Sequence, residues 1–120
     1  MPAHPAYIVL DTVDPDALAE FWCELLGVGV SARLADGQYV VLDAARDGEP
    51  PMSFQRVPEP KAGKNRMHLD LEVDDLDSTT SWVVDRGGRW VDGTDHELEG
   101  YRWRCMADPE GNEFDIVPTG

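Results

Sequence analysis

The sequence predicts an α+β domain built from two βαβββ modules in tandem, and three observations lead there. The first is self-similarity: an offset of 61 residues carries Tyr7 onto His68, Asp14 onto Asp75, Asp16 onto Asp77, Phe21 onto Trp82 and Gly27 onto Gly88. The second is that each copy opens on a period-two run and passes into a 3.6-period run, the change that marks a strand followed by a helix. The third is a glycine stop after each helical run, followed by shorter strand-like runs parted by turn residues. Eight strands and two helices result, read as one curved eight-stranded mixed sheet around a cavity with the helices on its outer face.

Tyr7 to Asp11 alternates as a strand, with Ile8 and Leu10 on one side and Tyr7, Val9 and Asp11 on the other. Asp14-Pro15-Asp16 is a helix start: Asp14 caps, and Pro15 takes the first helical position, where its missing N–H is no loss. Leu18, Phe21, Trp22, Leu25 and Leu26 then make one broad apolar face, which Gly27 ends. Val28 to Arg33, Gln38 to Leu42 and Pro51 to Val57 are strands separated by Ala35-Asp36-Gly37 and Asp47-Gly48-Glu49-Pro50. Module one therefore spans about 6–57, a proline-containing linker 58–66, and module two about 67–118.

Module two opens on Met67 to Val73 and continues into a helix from Asp75 or Leu76 to Arg86, with Leu76, Trp82 and Val83 as buried anchors. Gly87-Gly88 stops it. Arg89 to Asp92, Tyr101 to Ala107 and Asn112 to Val117 are its remaining strands, the last two joined by the turn Asp108-Pro109-Glu110-Gly111. Alternation places Ile8, Leu10, Leu69, Leu71, Phe114 and Ile116 under the helices. Tyr7, Val9, His68, Asp70, Glu72, Glu113 and Asp115 then share the other face, whose ionisable groups need water, partners or a ligand. Tyr101, Trp103 and Cys105 also lie together on one side of their strand, so Tyr7, Tyr39 and Trp103 are aromatic platforms for a ligand if that side is the open one.

A chain of 120 residues is one domain by length. With 24 acidic and 10 basic residues its net charge is −14, a field that repels nucleic acid and anionic membranes and attracts cationic small molecules. No apolar run reaches the roughly 20 residues of a membrane span, and the first residues lack the features of a signal peptide. These features predict a cytoplasmic protein in which Cys23 and Cys105 are buried, reduced thiols. Arg56, Lys61, Lys64 and Arg66 concentrate positive charge in one stretch, available to a ligand carboxylate or to the acidic surface.

The repeated unit, together with Asp14-Pro15-Asp16-Ala17-Leu18-Ala19-Glu20-Phe21-Trp22, Lys64-Asn65-Arg66-Met67-His68-Leu69-Asp70-Leu71 and Ala107-Asp108-Pro109-Glu110-Gly111-Asn112-Glu113-Phe114, resembles the glyoxalase/bleomycin resistance/dioxygenase superfamily, also called vicinal oxygen chelate proteins. The resemblance covers nearly the whole chain. It implies small-molecule binding or metal-assisted chemistry, and a homodimer. Members that use a metal take ligands from the first and last strand of each copy, which correspond here to Tyr7, His68, approximately Phe54, and Asp115. Phe54 has no donor atom, which leaves His68 and Asp115 as metal ligands, fewer than the three that zinc or iron sites take. The resemblance leaves a divalent metal (zinc, iron, manganese or nickel) open rather than assigned.

The sequence therefore leads to a protein that binds a small organic molecule, cationic or aromatic, through Tyr7, His68, Asp70, Trp103 and Asp115, without glyoxalase I activity. The alternative is a metal-dependent lyase, isomerase or dioxygenase using His68 and Asp115.

Overall fold

The computed structural model describes residues 2–119. They form two compact units, one ending at Lys61 and the other beginning at Ala62. Each unit has its own helix and its own sheet.

The first unit runs β1 (Ile8–Thr12), α1 (Pro15–Leu26), β2 (Val30–Leu34), β3 (Tyr39–Leu42) and β4 (Met52–Arg56). Its strands lie in the order β1-β4-β3-β2, with β1 and β4 parallel and the other pairs antiparallel. The helix starts where its cap dictates: Asp14 Oδ1 accepts the Ala17 N–H at 3.2 Å and Pro15 occupies the first turn. Gly27 ends it in the left-handed conformation, at φ 69°, with its N–H on the Cys23 carbonyl. Leu18, Ala19, Phe21 and Trp22 are buried on the face that packs on β3 and β4, whose own buried residues are Val40, Leu42, Met52 and Phe54. The valine, leucine, methionine and phenylalanine side chains among them each contribute about 1.5–3 kcal/mol when fully buried.

The register of β1 on β4 pairs Val9 with Ser53 and Leu10 with Phe54. Phe54 therefore lies with Leu10 under the helix, fully buried, and Ser53 and Gln55 share the side of Val9 and Asp11. The sequence reading instead set Phe54 at approximately the ligand position of this strand. The cause is a single residue: Tyr7 and His68 differ by 61 positions, but the partner of Asp70 is Asp115, so Ser53, 62 positions earlier, is its counterpart. The second copy carries one more residue between its first and last strands.

The second unit runs β5 (Asp70–Val73), α2 (Leu76–Asp85), β6 (Arg89–Trp90), β7 (His96–Leu98), β8 (Tyr101–Ala107) and β9 (Glu113–Pro118). Its order is β5-β9-β8-β6, with β7 also paired to β8. β5 and β9 are parallel, while β8 runs antiparallel to β9, β6 and β7. The two units thus repeat one topology, with α+β modules of the expected kind, but among the described residues nine strands stand in place of eight and hydrogen bonding divides them into sheets of four and five. The added strand, β7, is a three-residue hairpin arm. Glu99 (φ 51°) and Gly100 (φ 86°) turn it back onto β8 with the paired positive φ of a type I′ turn.

β5 starts at Asp70 rather than Met67, although the Asp115 N–H still reaches the Leu69 carbonyl at 2.8 Å. In α2, Asp75 accepts the Ser78 N–H at 2.9 Å, and this bond holds its carboxyl below the usual aspartate range. Leu76, Thr80 and Val83 are the buried residues of α2. Trp82, expected as an anchor, is only partly buried, with the Arg86 guanidinium 4.5 Å from its ring centre. Thr80 takes its place because it falls on the i, i+4, i+7 row, and its hydroxyl is satisfied by donating to the Leu76 carbonyl at 2.7 Å.

Arg104 of β8 points to the same side as α2 and is buried. Its guanidinium donates to Thr80 Oγ1 at 2.9 Å, to Asp77 at 2.8 Å and to Asp95, and lies 4.3 Å from the Trp90 ring centre. The turn between β8 and β9 is held by buried Asp108, whose Oδ1 accepts the N–H groups of Glu110 and Asn112, both at 2.9 Å. Cys23 and Cys105 are free thiols, but each is partly exposed rather than buried, Cys105 because it lies on the helix-free side of β8. No helix among the described residues is long and apolar enough to cross a membrane.

Gly88 joins α2 to β6 where backbone and side chains leave no room. A Cβ there would sit 2.4 Å from the Ala107 oxygen and 2.6 Å from Val83 Cγ1. Gly88→Ala is expected to lower stability by about 1–3 kcal/mol in urea denaturation, and a change within about 0.5 kcal/mol would contradict this packing.

Candidate functional site

The helix-free face of the five-stranded sheet collects the chemistry of the second unit. Register decides this. β5 pairs Asp70 with Asp115 of β9, and β9 in turn pairs Asp115 with Cys105 of β8. Alternation along β8 adds Trp103 and Tyr101 on the side of Cys105. β7 then sets His96 opposite Trp103 and Leu98 opposite Tyr101.

His68 lies two residues before β5. Its Nε2 stands 3.3 Å from Asp70 Oδ1 and 3.3 Å from Asp115 Oδ2. The other Asp70 oxygen, Oδ2, accepts the Tyr101 hydroxyl at 2.7 Å. Lys64 forms an ion pair with Glu113. The His96 ring stacks on Trp103, with ring centres 5.3 Å apart and planes within 14°, and its Nε2 is 2.6 Å from Asp92 Oδ2. His68, Asp70, Asp115, Tyr101, Trp103 and Cys105 line a concavity of about 510 Å³, a volume usual for a small-molecule site. A neighbouring concavity of about 470 Å³ shares Asp70 and Tyr101 and adds Glu72 and Arg102.

Burial pushes the Asp115 carboxyl above the usual aspartate range, against the Cys105 thiol and His68, which favour its charge; nearby Asp70 adds to the rise. Burial, followed by the hydrogen bond to Asp115, raises the Cys105 thiol to about 11. Tyr101 is raised chiefly by donating to Asp70, and Asp92 is lowered chiefly by its bond to His96. The face therefore carries a negative field opposed by few cations.

Of the residues singled out from the sequence, His68, Asp70, Trp103 and Asp115 lie together here. Tyr7 belongs to the first unit, immediately before β1, and is 54% exposed. Tyr39 is likewise in the first unit, on β3. The sequence reading did not foresee Tyr101 as the hydrogen-bond donor to Asp70, Lys64 as the partner of Glu113, or His96 stacked on Trp103. The alternation Tyr101, Trp103, Cys105 signalled the first. His96 required β7, which is too short and polar to register as a strand.

A metal is open to His68, Asp70 and Asp115. They offer one imidazole nitrogen and two carboxylate oxygens, all within 4.8 Å of one another. The two 3.3 Å separations match the roughly 3.0–3.4 Å between ligand atoms around an ion with bonds of about 2.0–2.1 Å. The set with Phe54 does not fit, because that ring is buried in the core of the first unit.

A family model described as "Glyoxalase-like domain" matches residues 7–117. The chain belongs to the glyoxalase-like domain family. Solved structures share this fold. A glyoxalase/bleomycin resistance protein/dioxygenase family enzyme from Burkholderia phytofirmans PsJN has a TM-score of 0.76 at 18% identity, over 94% of this chain and 96% of that one. TioX from Micromonospora sp. ML1 has a TM-score of 0.64 at 18% identity, over 97% and 98%. The oxidase ChaP-H2 has a TM-score of 0.68 at 18% identity, over 100% and 96%. Comparison with curated proteins gave no match. At these identities the glyoxalase-like neighbours define a fold and leave the chemistry to the site.

The raised Asp115 has a stability consequence of definite sign. A carboxyl whose folded pKa lies above its unfolded value stabilises the fold most below the unfolded value, and that contribution is lost as pH rises through the folded pKa. The charged Asp115 is therefore a burden at neutral pH. Asp115→Asn is expected to melt at a higher temperature than the parent at pH 7, with the gain fading below about pH 4. A lower melting temperature at pH 7 would overturn this account of the face.

Proposed function

We propose that this glyoxalase-like protein binds a small organic molecule on the open face of its second unit, against Trp103 and beside the His68, Asp70 and Asp115 cluster. The observation that carries the reading is one wall with two kinds of surface: an indole fixed by the stacked His96, and two carboxylates answered by one histidine. An aromatic ring lies on the first and a cationic or hydrogen-bond-donating group meets the second. The net charge of −14 draws such a ligand in.

His68 and Tyr101 orient the carboxylates: Asp70 receives Tyr101 on one oxygen and faces His68 with the other. Absence of glyoxalase I activity is part of the proposal, supported by Ser53, a weak metal donor that stands in the first unit where Asp115 stands in the second. The 3.3 Å geometry of His68, Asp70 and Asp115 supports a second reading, a metal-dependent lyase, isomerase or dioxygenase; two structural neighbours are described as an enzyme and an oxidase. A bound divalent ion would supply Lewis-acid polarisation of substrate oxygens. His68, Asp70 and Asp115 would hold it, and the Tyr101 hydroxyl would keep its proton on the Asp70 side.

Ligand-observed NMR with a panel of cationic, neutral and anionic aromatic fragments tests the first reading. Cationic and neutral fragments are expected to bind, Trp103→Ala should weaken them by about fivefold or more, and His68→Ala should change the affinity of the cationic ones more than that of the neutral ones. Equal binding by both variants would reject the site, and turnover of the glutathione hemithioacetal of methylglyoxal would reject the absence of glyoxalase I activity.

We further propose a homodimer, supported by the edge strands at which each sheet ends. Light scattering is expected to give twice the 13.3 kDa chain mass, and a monomer mass at micromolar concentration would refute it.

A further inference from the structure

We propose that Asp92, His96 and Cys105 form a second divalent-metal site, of zinc type, with three protein ligands and a fourth position facing the concavity that Cys105 lines. The three residues come from separate segments: Asp92 follows β6, His96 opens β7 and Cys105 lies in β8. Pairing brings them together, because His96 sits opposite Trp103, two residues from Cys105, and the Val91 N–H binds the Cys105 carbonyl at 2.9 Å. Their donor atoms all lie within 4.8 Å of one another.

The donor chemistry selects the ion. The Cys105 thiol, held protonated by a pKa of about 11 in the free protein, gives up its proton to solvent as the ion binds. Thiolate, imidazole and carboxylate are then the three side-chain types that zinc takes, and three of them with one open position is the arrangement of a site that admits a further ligand. The sulfur disfavours magnesium and calcium, which take oxygen. The donors are also held from behind. Asp92 Oδ1 accepts the Thr94 N–H at 3.1 Å, the His96 ring is fixed by its stack on Trp103, and Arg104 ties down Asp95 between them. Asp92 and His96 stand 2.6 Å apart, the separation of a hydrogen bond; an ion entering there replaces the shared proton and opens the pair to about 3 Å.

This site shares Cys105 with the concavity and His96 with the Trp103 stack, but metal loading is read with no organic molecule present, so its failure and that of the ligand-binding reading are distinguishable. Sulfur also distinguishes it from the His68, Asp70 and Asp115 cluster, which has none. The probe is cobalt(II) added to the reduced full-length protein. A sulfur-to-cobalt charge-transfer band that saturates at one ion per chain is expected, and zinc should displace it. Cys105→Ser should abolish the band, while His96→Gln and Asp92→Asn, checked as folded by circular dichroism, should weaken zinc binding by about tenfold or more. Cys23→Ser and His68→Ala should retain the band. Cobalt bound without the band, a band that survives Cys105→Ser or disappears in Cys23→Ser, or no binding at up to about 100 μM metal would each overturn the proposal.

Discussion

The constraint on which the site depends is the parallel register of β5 on β9, which sets Asp70 directly beside Asp115. Two like charges facing each other across a ladder oppose folding, and one of these is also partly desolvated. The surrounding residues relieve that opposition one by one. His68 stands 3.3 Å from each carboxylate, Tyr101 donates to the far oxygen of Asp70, and the Cys105 thiol donates to Asp115. None of the three neutralises the pair outright, so the face keeps a negative character that a cationic group or a metal can complete.

A second arrangement, on the opposite side of β8, holds this one in place. Arg104 lies between Trp103 and Cys105 in sequence and points the other way, into the helix side. There it joins α2 through Thr80 and Asp77, rests on Trp90 and reaches Asp95. Breaking a buried charged hydrogen-bond network leaves its members unsatisfied, at a cost of roughly 1–3 kcal/mol per group. The segment carrying Asp92 and His96 is thus anchored from beneath the sheet, while its side chains act above it. Alternation along a single strand couples the packing of the core to the chemistry of the open face.

Much of this was legible in the sequence, for reasons that particular residues make plain. Asp14-Pro15 and Asp75 announced both helix starts, because a cap is a local interaction. His68, Asp70 and Asp115 were legible because a period of two assigns sides without knowledge of neighbours. Partner-dependent features were not. The one-residue difference between the copies turned Phe54 from an apparent ligand position into core, and no local pattern reveals a register. β7 escaped because His96-Glu97-Leu98 has neither length nor apolar alternation and exists as a strand only through its pairing with β8. With it went His96, whose surroundings depend on that pairing.

The comparison of the two copies explains why the ionisable cluster resides in one of them. Their strand orders correspond, β1-β4-β3-β2 beside β5-β9-β8-β6, and so does the parallel pairing of first and last strands. At the paired positions the first copy has Val9 and Ser53 where the second has Asp70 and Asp115. Valine and serine need no counter-ion, so the first copy has no reason to recruit a histidine, and Tyr7 stands where His68 does. Two aspartates cannot share a partly buried position without partners. The duplicated backbone supplies the geometry in both units, and the substitution of a charged pair for a neutral one is what gathers His68, Tyr101 and Cys105 around the second.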